Sequence, residues 1–294
     1  MAKANKVAAL ESYVACASVK SNASAAQVQS AYKIEVRFLG GLNAAQKKAF
    51  KTAANRWTKV IVGDVPSVSV DGEVIDDLLI LAQGVPIDGV NGILGQAGPT
   101  HLRPASAGAS AFLPAKGTMS FDTADLAAMQ ADKTLLDVIT HEMGHVIGIG
   151  TIWPHKRLLA GASTSNPTCT GKTAKTEYGV LKGTGPAAVP VENTGGAGTK
   201  NSHWRESVFK NELMSGFIAA ANNPLSRLTV GSLQDLGYVV DMKAAEAYAL
   251  PNLLQFAERG LAAHLQDEHE HAHAMPIIPI TLPEGSLQGK RLVG

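Results

Sequence analysis

The stretch His141-Glu142-Met143-Gly144-His145 constrains this chain more than any other. Residues four apart share one face of an α-helix, so two histidines at this spacing can present imidazole nitrogens to a single cation. Glu142 stands one residue round from the first histidine, where its carboxylate can reach a water beside the same cation. The flanks agree with a helix. Leu135, Ile139, Met143 and Val146 recur at helical spacing and are expected to face the core. Thr134, with Asp137 three residues on, is expected to open the helix as a capping box. Gly148 is expected to close it in a left-handed turn. The plainer alternative is a buried amphipathic helix whose two histidines bond to core groups.

A chain of 294 residues, 45% hydrophobic and 17% charged, is globular and long enough for one large domain or two subdomains beside a cleft. Its net charge of +1 offers nothing to attract nucleic acid. No apolar run approaches the ~20 residues that span a bilayer, and no transmembrane segment is expected. The two cysteines, Cys16 and Cys169, are too few for a disulfide framework. A single bridge, free thiols and separate roles all stay open, including Cys16 as a thiolate ligand in a latent form. Lys3, Lys6, Glu11 and Lys20 interrupt the first twenty residues, so no standard secretory signal is visible.

Residues 1–31 are Ala/Ser-rich and read as an N-terminal extension outside the core. Residues 34–38 alternate apolar and charged side chains, as a half-buried strand should. Asn43 is expected to cap a helix with Phe50, Ala54 and Trp57 on its inner face. Val68, Val70, Ile75 and the Leu78 to Leu81 run suggest further strands. Residues 84–120 are punctuated by glycine and proline, with a short strand expected at 117–121. After Gly148, residues 160–201 read as a long loop-dominated insert, with order returning at 202–217 and 225–240. From about Pro251 a helical stretch leads into a histidine-rich tail. Strands first, then a helix, then loops and helices imply an α+β fold with a cleft along the metal helix.

Catalytic zinc usually keeps three protein ligands and one open position. The commonest metzincin pattern would put the third ligand at Thr151, which is not a credible substitute. His101, His155, His203 and the histidines from His264 to His273 compete for the role. His203 stands out by context, because Glu212-Leu213-Met214-Ser215-Gly216 follows it closely and looks like a Met-turn. A thioether can pack under imidazole rings without displacing them as ligands.

The run from His141 to Trp153, the displaced His203-Trp204, Glu212-Leu213-Met214 and Asp235-Leu236-Gly237-Tyr238 together resemble the leishmanolysin-type branch of the metzincin zinc peptidases. The compact microbial members are the nearer likeness. The resemblance covers roughly residues 32–250. It implies one catalytic zinc on His141, His145 and His203, Glu142 as general base, and Met214 as the Met-turn residue. It also implies a twisted mixed sheet, a central metal-binding helix and a loop-rich C-terminal subdomain. That places an upper subdomain at 32–148, a lower one at 149–250, and a C-terminal helix and tail at 251–294. The expected substrates are peptides or proteins, and the expected location is extracellular or secreted. Nothing in the sequence sets an oligomeric state. Calcium at Asp122 and Asp125 is a further option, though capping a short helix accounts for both equally well.

Two other functions compete. A non-catalytic binding or adhesion module on the same scaffold would have no use for Glu142, and a structural zinc would favour four ligands with cysteine. Hydrolysis of cell-wall peptide amides would use the same site on a different substrate.

Overall fold

In the computed structural model, residues 10–18, 31–90, 94–196, 198–216, 218, 221–251, 274–275 and 277–288 are described. Strand β1 (Glu11–Cys16) pairs antiparallel with β2 (Lys33–Gly40) along its whole length. Residues 11–17 are therefore not an extension outside the core, and that expectation is corrected. The inner face of β1 carries Tyr13 and Ala15, with Ala17 just past its end, side chains mostly too small to register as an apolar alternation. Tyr13 anchors the strand by donating its hydroxyl to Asn55 Oδ1 (3.1 Å). In β2 the expected alternation holds, with Ile34, Val36 and Phe38 buried between partly exposed neighbours.

Helix α1 (Ala44–Val60) opens with a complete capping box between Asn43 and Gln46, and its Phe50, Ala54 and Trp57 are fully buried. Strands β3 (Val68–Val70) and β4 (Glu73–Ile75) form a hairpin ahead of β5 (Leu78–Val85). The apolar run in β5 has no polar face because both of its faces are covered. Leu78, Ile80 and Ala82 enter the main core, while Leu79 and Leu81 meet Val68, Val70 and Ile75 of the hairpin.

Strands β6 (Gly95–Leu102) and β7 (Pro114–Asp122) complete the inner sheet. The strand expected at 117–121 is longer than its sequence signal, and β6 has no such signal at all. Its glycines and Pro99 are poor strand formers, and the register breaks beside Pro99, where a proline is tolerated at a bulge. Near the chain end, β11 (Ala274–Met275) and β12 (Ile280–Thr281) run parallel to β6 on its outer side. The sheet order is β1-β2-β5-β7-β6-β11, with β12 also on β6. Strands β2, β5 and β7 are parallel, and β1 and β6 run against them. The result is a mixed sheet with helices, as the α+β expectation requires in its coarse form.

Asp122 caps α2 (Thr123–Asp132), which leads into α3 (Leu135–Ile147). Leu135, Ile139, Met143 and Val146 are buried, and Gly148 ends α3 in the left-handed region at φ 118°. The expected capping box does not form. Thr134 makes no side-chain cap, and the Asp137 carboxylate instead accepts from the backbone N–H groups of Asn222 and Asn223. Trp57 donates its indole N–H to the Thr140 carbonyl (2.9 Å), tying α1 to α3.

Residues 160–201 are more structured than expected. Strands β8 (Leu159–Ala160), β9 (Thr168–Cys169) and β10 (Val189–Pro190) form a small antiparallel sheet around α4 (Lys172–Lys182). Helix α5 (Glu206–Phe209) and α6 (Arg227–Leu236) follow. No side chain of its own caps α4 at the N-terminus. Asp235 of α6 does so, accepting from Thr173 N (2.8 Å) and Ala174 N (2.9 Å). Both cysteines are free, Cys16 exposed and Cys169 buried. The helix expected from Pro251 onward, and His264, His269, His271 and His273, lie outside the described residues.

Candidate metal centre

His141 and His145 project from the same face of α3, and His203 meets them from a loop 58 residues further on. The three Nε2 atoms form a triangle with sides of 3.0, 3.0 and 2.9 Å. Each Nδ1 faces a backbone carbonyl: Leu213 O for His141 (2.6 Å), Ile149 O for His145 (2.9 Å) and Thr199 O for His203 (2.9 Å). A carbonyl only accepts, so Nδ1 carries the hydrogen and Nε2 presents a lone pair in all three rings. Three lone pairs converging at this range repel one another, and a cation is the partner that relieves them. Zinc–imidazole bonds of roughly 2.0–2.1 Å fit over a triangle of this size. Burial pushes the His145 imidazole down to about 4, which keeps it neutral and able to ligate.

The loop that carries His203 is held from both sides. Glu192 N donates to His203 O (2.9 Å), and Trp204 N donates to Met214 O (2.9 Å). The buried Glu192 carboxylate accepts from Asn193 N, Thr194 N, the Thr194 hydroxyl and Glu206 N, fixing the chain on both flanks of the histidine. That gives Glu192, without a role on sequence alone, the task of holding this loop.

Met214 is fully buried beside α3. A Cβ added at Gly144, between the two helical histidines, would lie 2.8 Å from Met214 Sδ and 3.0 Å from Trp57 Cζ2. Glycine at 144 is therefore what lets the thioether and the indole approach the helix. The turn that carries Met214 is closed by Ser215 N donating to Glu212 O (3.0 Å).

Glu142 is buried on the same helix, and its Oε2 has no hydrogen-bond partner among the described residues. Burial pushes its carboxyl up to about 8. A buried carboxylate oxygen without a donor is unfavourable, and a neighbouring cation with its water would both satisfy that oxygen and favour its ionised form.

The competing histidines stand elsewhere. His101 lies on β6 with Nδ1 2.9 Å from Thr100 Oγ1, and His155 is exposed against the Phe112 ring. Neither joins the cluster, nor does Cys16. Asp122, a calcium option, spends its carboxylate on the N–H groups of Ile87, Asp88, Gly89 and Ala124. A second acidic group, Asp64, Asp76 and Asp77, already has a cation at hand, with Lys33 Nζ 2.9 Å from Asp76 Oδ2.

Residues 63–255 match the family model for leishmanolysin. Leishmanolysin of Leishmania major is 32% identical over 142 residues, covering 45% of this chain and 23% of that protein. Leishmanolysin of Leishmania tropica is 30% identical over 133 residues, covering 42% and 20% respectively. A leishmanolysin homologue of Crithidia fasciculata is 28% identical over 137 residues, again 42% and 20%. The matched stretch spans less than a quarter of the length of each of these relatives.

Proposed function

The chain belongs to the leishmanolysin family, and from that premise we propose that it is a zinc-dependent metalloendopeptidase. The observation that carries this reading is the triangle of Nε2 atoms, each oriented by a carbonyl behind its ring. His141, His145 and His203 hold the zinc, and the Nδ1–H bonds to carbonyls raise the basicity of each ring. Zinc supplies Lewis acidity and lowers the pKa of water from ~15.7 towards ~7. Glu142 takes the proton of the attacking water and hands it to the leaving nitrogen. A base that can also act as acid suits a peptide amide, whose nitrogen leaves poorly unprotonated. Met214 packs beneath the ligands as the Met-turn residue. The proposed arrangement is the metzincin one: an upper subdomain over 32–148, a lower one over 149–250, and a substrate cleft between them along α3.

Peptides or proteins are the proposed substrates, and the proposed location is outside the cytoplasm. Among the described residues no helix is long and apolar enough to cross a membrane.

The test compares wild type with Glu142→Ala on a protein substrate and on a cell-wall peptide, with and without chelator. Wild type should cleave the protein substrate and stop when zinc is removed. Glu142→Ala should keep its zinc yet lose at least ~10²–10⁴ in rate. Near-wild-type cleavage by the variant would overturn Glu142 as base, and preference for the cell-wall peptide would reassign the substrate.

A further inference from the structure

Glu212 stands two residues before Met214 and has no part in the chemistry proposed above. It is nevertheless fully buried, and its carboxylate accepts four hydrogen bonds. Oε1 accepts from Ser226 N (3.1 Å), Ser226 Oγ (2.6 Å) and Thr229 Oγ1 (2.6 Å). Oε2 accepts from Met214 N (2.6 Å). The Thr229 hydroxyl, its hydrogen given to Glu212, accepts the indole N–H of Trp204 (2.8 Å). One carboxylate thus joins the turn at Met214, the N-cap of α6 at Ser226, and the residue that follows His203.

Consecutive carbonyls of that turn hold His141 and the residue after His203. Leu213 O receives Nδ1 of His141, and Met214 O receives the backbone N–H of Trp204. Any movement of the turn moves both. We propose that Glu212 is a positioning residue: its carboxylate fixes the 212–215 turn against α6 and so sets where His141 and His203 place their Nε2 atoms. The inference deepens the zinc reading and rests on His141 and His203 being ligands. The site needs an acceptor oxygen at both ends, which the amide of Gln cannot supply. With its oxygen toward Ser226 and Thr229, a Gln side chain would turn an N–H against Met214 N.

The test uses Glu212→Gln, Thr229→Val, Thr229→Ser, and Val68→Ala as a destabilised control in the small distant cluster. Long-range proton–nitrogen spectra of the metal-free protein report the tautomer of each imidazole, and competition with a chromogenic chelator reports zinc affinity. The cobalt-substituted absorption spectrum reports ligand geometry. Glu212→Gln should lose the single Nδ1–H form of His141 and His203, weaken zinc by about tenfold or more, and shift the cobalt bands. Thr229→Val should do so to a smaller degree and mainly at His203. Thr229→Ser, which keeps the hydroxyl, and Val68→Ala should match wild type in all three. A folded Glu212→Gln with wild-type imidazole pattern and zinc affinity overturns the proposal. If Glu212→Gln does not fold, the proposal is overturned instead by Thr229→Val and Thr229→Ser both matching wild type. Wild type that takes up no zinc would sink the peptidase reading and this proposal with it, whereas a zinc-binding wild type whose affinity and imidazoles are untouched by Glu212→Gln overturns the positioning role alone.

Discussion

Replacing Gly144 by alanine sets two effects of known sign against each other. Alanine in a helix interior is favoured over glycine by roughly 0.5–1 kcal/mol. The new Cβ, however, would lie 2.8 Å from Met214 Sδ, 3.0 Å from Met214 Cε and 3.0 Å from Trp57 Cζ2. Ordinary carbon contacts sit at roughly 3.5–4.0 Å. Trp57 cannot recede, because it is fully buried and its indole N–H is held by Thr140. Met214 must give way instead, and overpacking of this kind costs roughly 1–3 kcal/mol. The net expectation is a loss of about 1 kcal/mol, a fall in melting temperature of roughly 2–4 °C for a domain of this size. Thermal unfolding of the metal-free protein measures it, in the wild-type background and with Met214→Ala. Met214→Ala alone should cost about 2–5 kcal/mol through its cavity, but it removes the two sulfur-side contacts. The Gly144→Ala penalty should then shrink by at least ~1 kcal/mol, a coupling that only neighbours show. A higher melting temperature for Gly144→Ala, or the same change in both backgrounds, would refute the packing argument.

Two further outcomes follow from the same geometry. His203→Ala should lower zinc affinity by at least the ~10–100-fold typical of disturbed ligand support and abolish cleavage, whereas His155→Ala should change neither; a zinc-free, inactive His155→Ala beside a functional His203→Ala would reverse the assignment. The metal-free protein should also show a pH dependence with a definite sign. Glu142 keeps its proton in the folded state up to about 8 but releases it near 4.5 when unfolded, so its stabilisation is lost as pH rises through that window. His145 acts oppositely, its folded pKa of about 4 against 6.5 unfolded removing stability as pH falls between those values. From 6.5 to 8 only the Glu142 effect remains of the two, at most ~1.4 kcal/mol per pH unit. Melting temperatures should fall over that range more steeply for wild type than for Glu142→Gln, and parallel curves would contradict the burial of the carboxyl.

Much of the centre was legible because its side chains carry their own signature. His141, Glu142 and His145 declare themselves by spacing, Gly148 by its place after the helix, and His203 by the Met214 turn that follows it. What orients those side chains was not legible. The groups behind the three rings are main-chain carbonyls of Leu213, Ile149 and Thr199, which any residue type would provide. Asp137 sat at the right offset for a local cap, yet its carboxylate is taken by donors 85 and 86 residues away. Helix α4 receives its cap from Asp235, so nothing at its own start announces it. Strand β6 is built of residues that disfavour strands and is held by its neighbours. For Asp137 and α4 a partner distant in sequence decided the local structure.

The dependence of His141 on the Leu213 carbonyl also orders events in time. A chain leaving the ribosome has completed α3 by Ile147, and His145 can be oriented as soon as Ile149 follows. His141 must wait for Leu213, which is 66 residues after the end of that helix. At about 5–20 residues per second that delay is roughly 3–13 s. Until residue 203 the growing chain carries two of its three imidazoles, and only His145 has the carbonyl that aims it. The turn itself is held only when Ser226 and Thr229 at the start of α6 have followed, so the third ring is aimed after the rest of the cluster has been made.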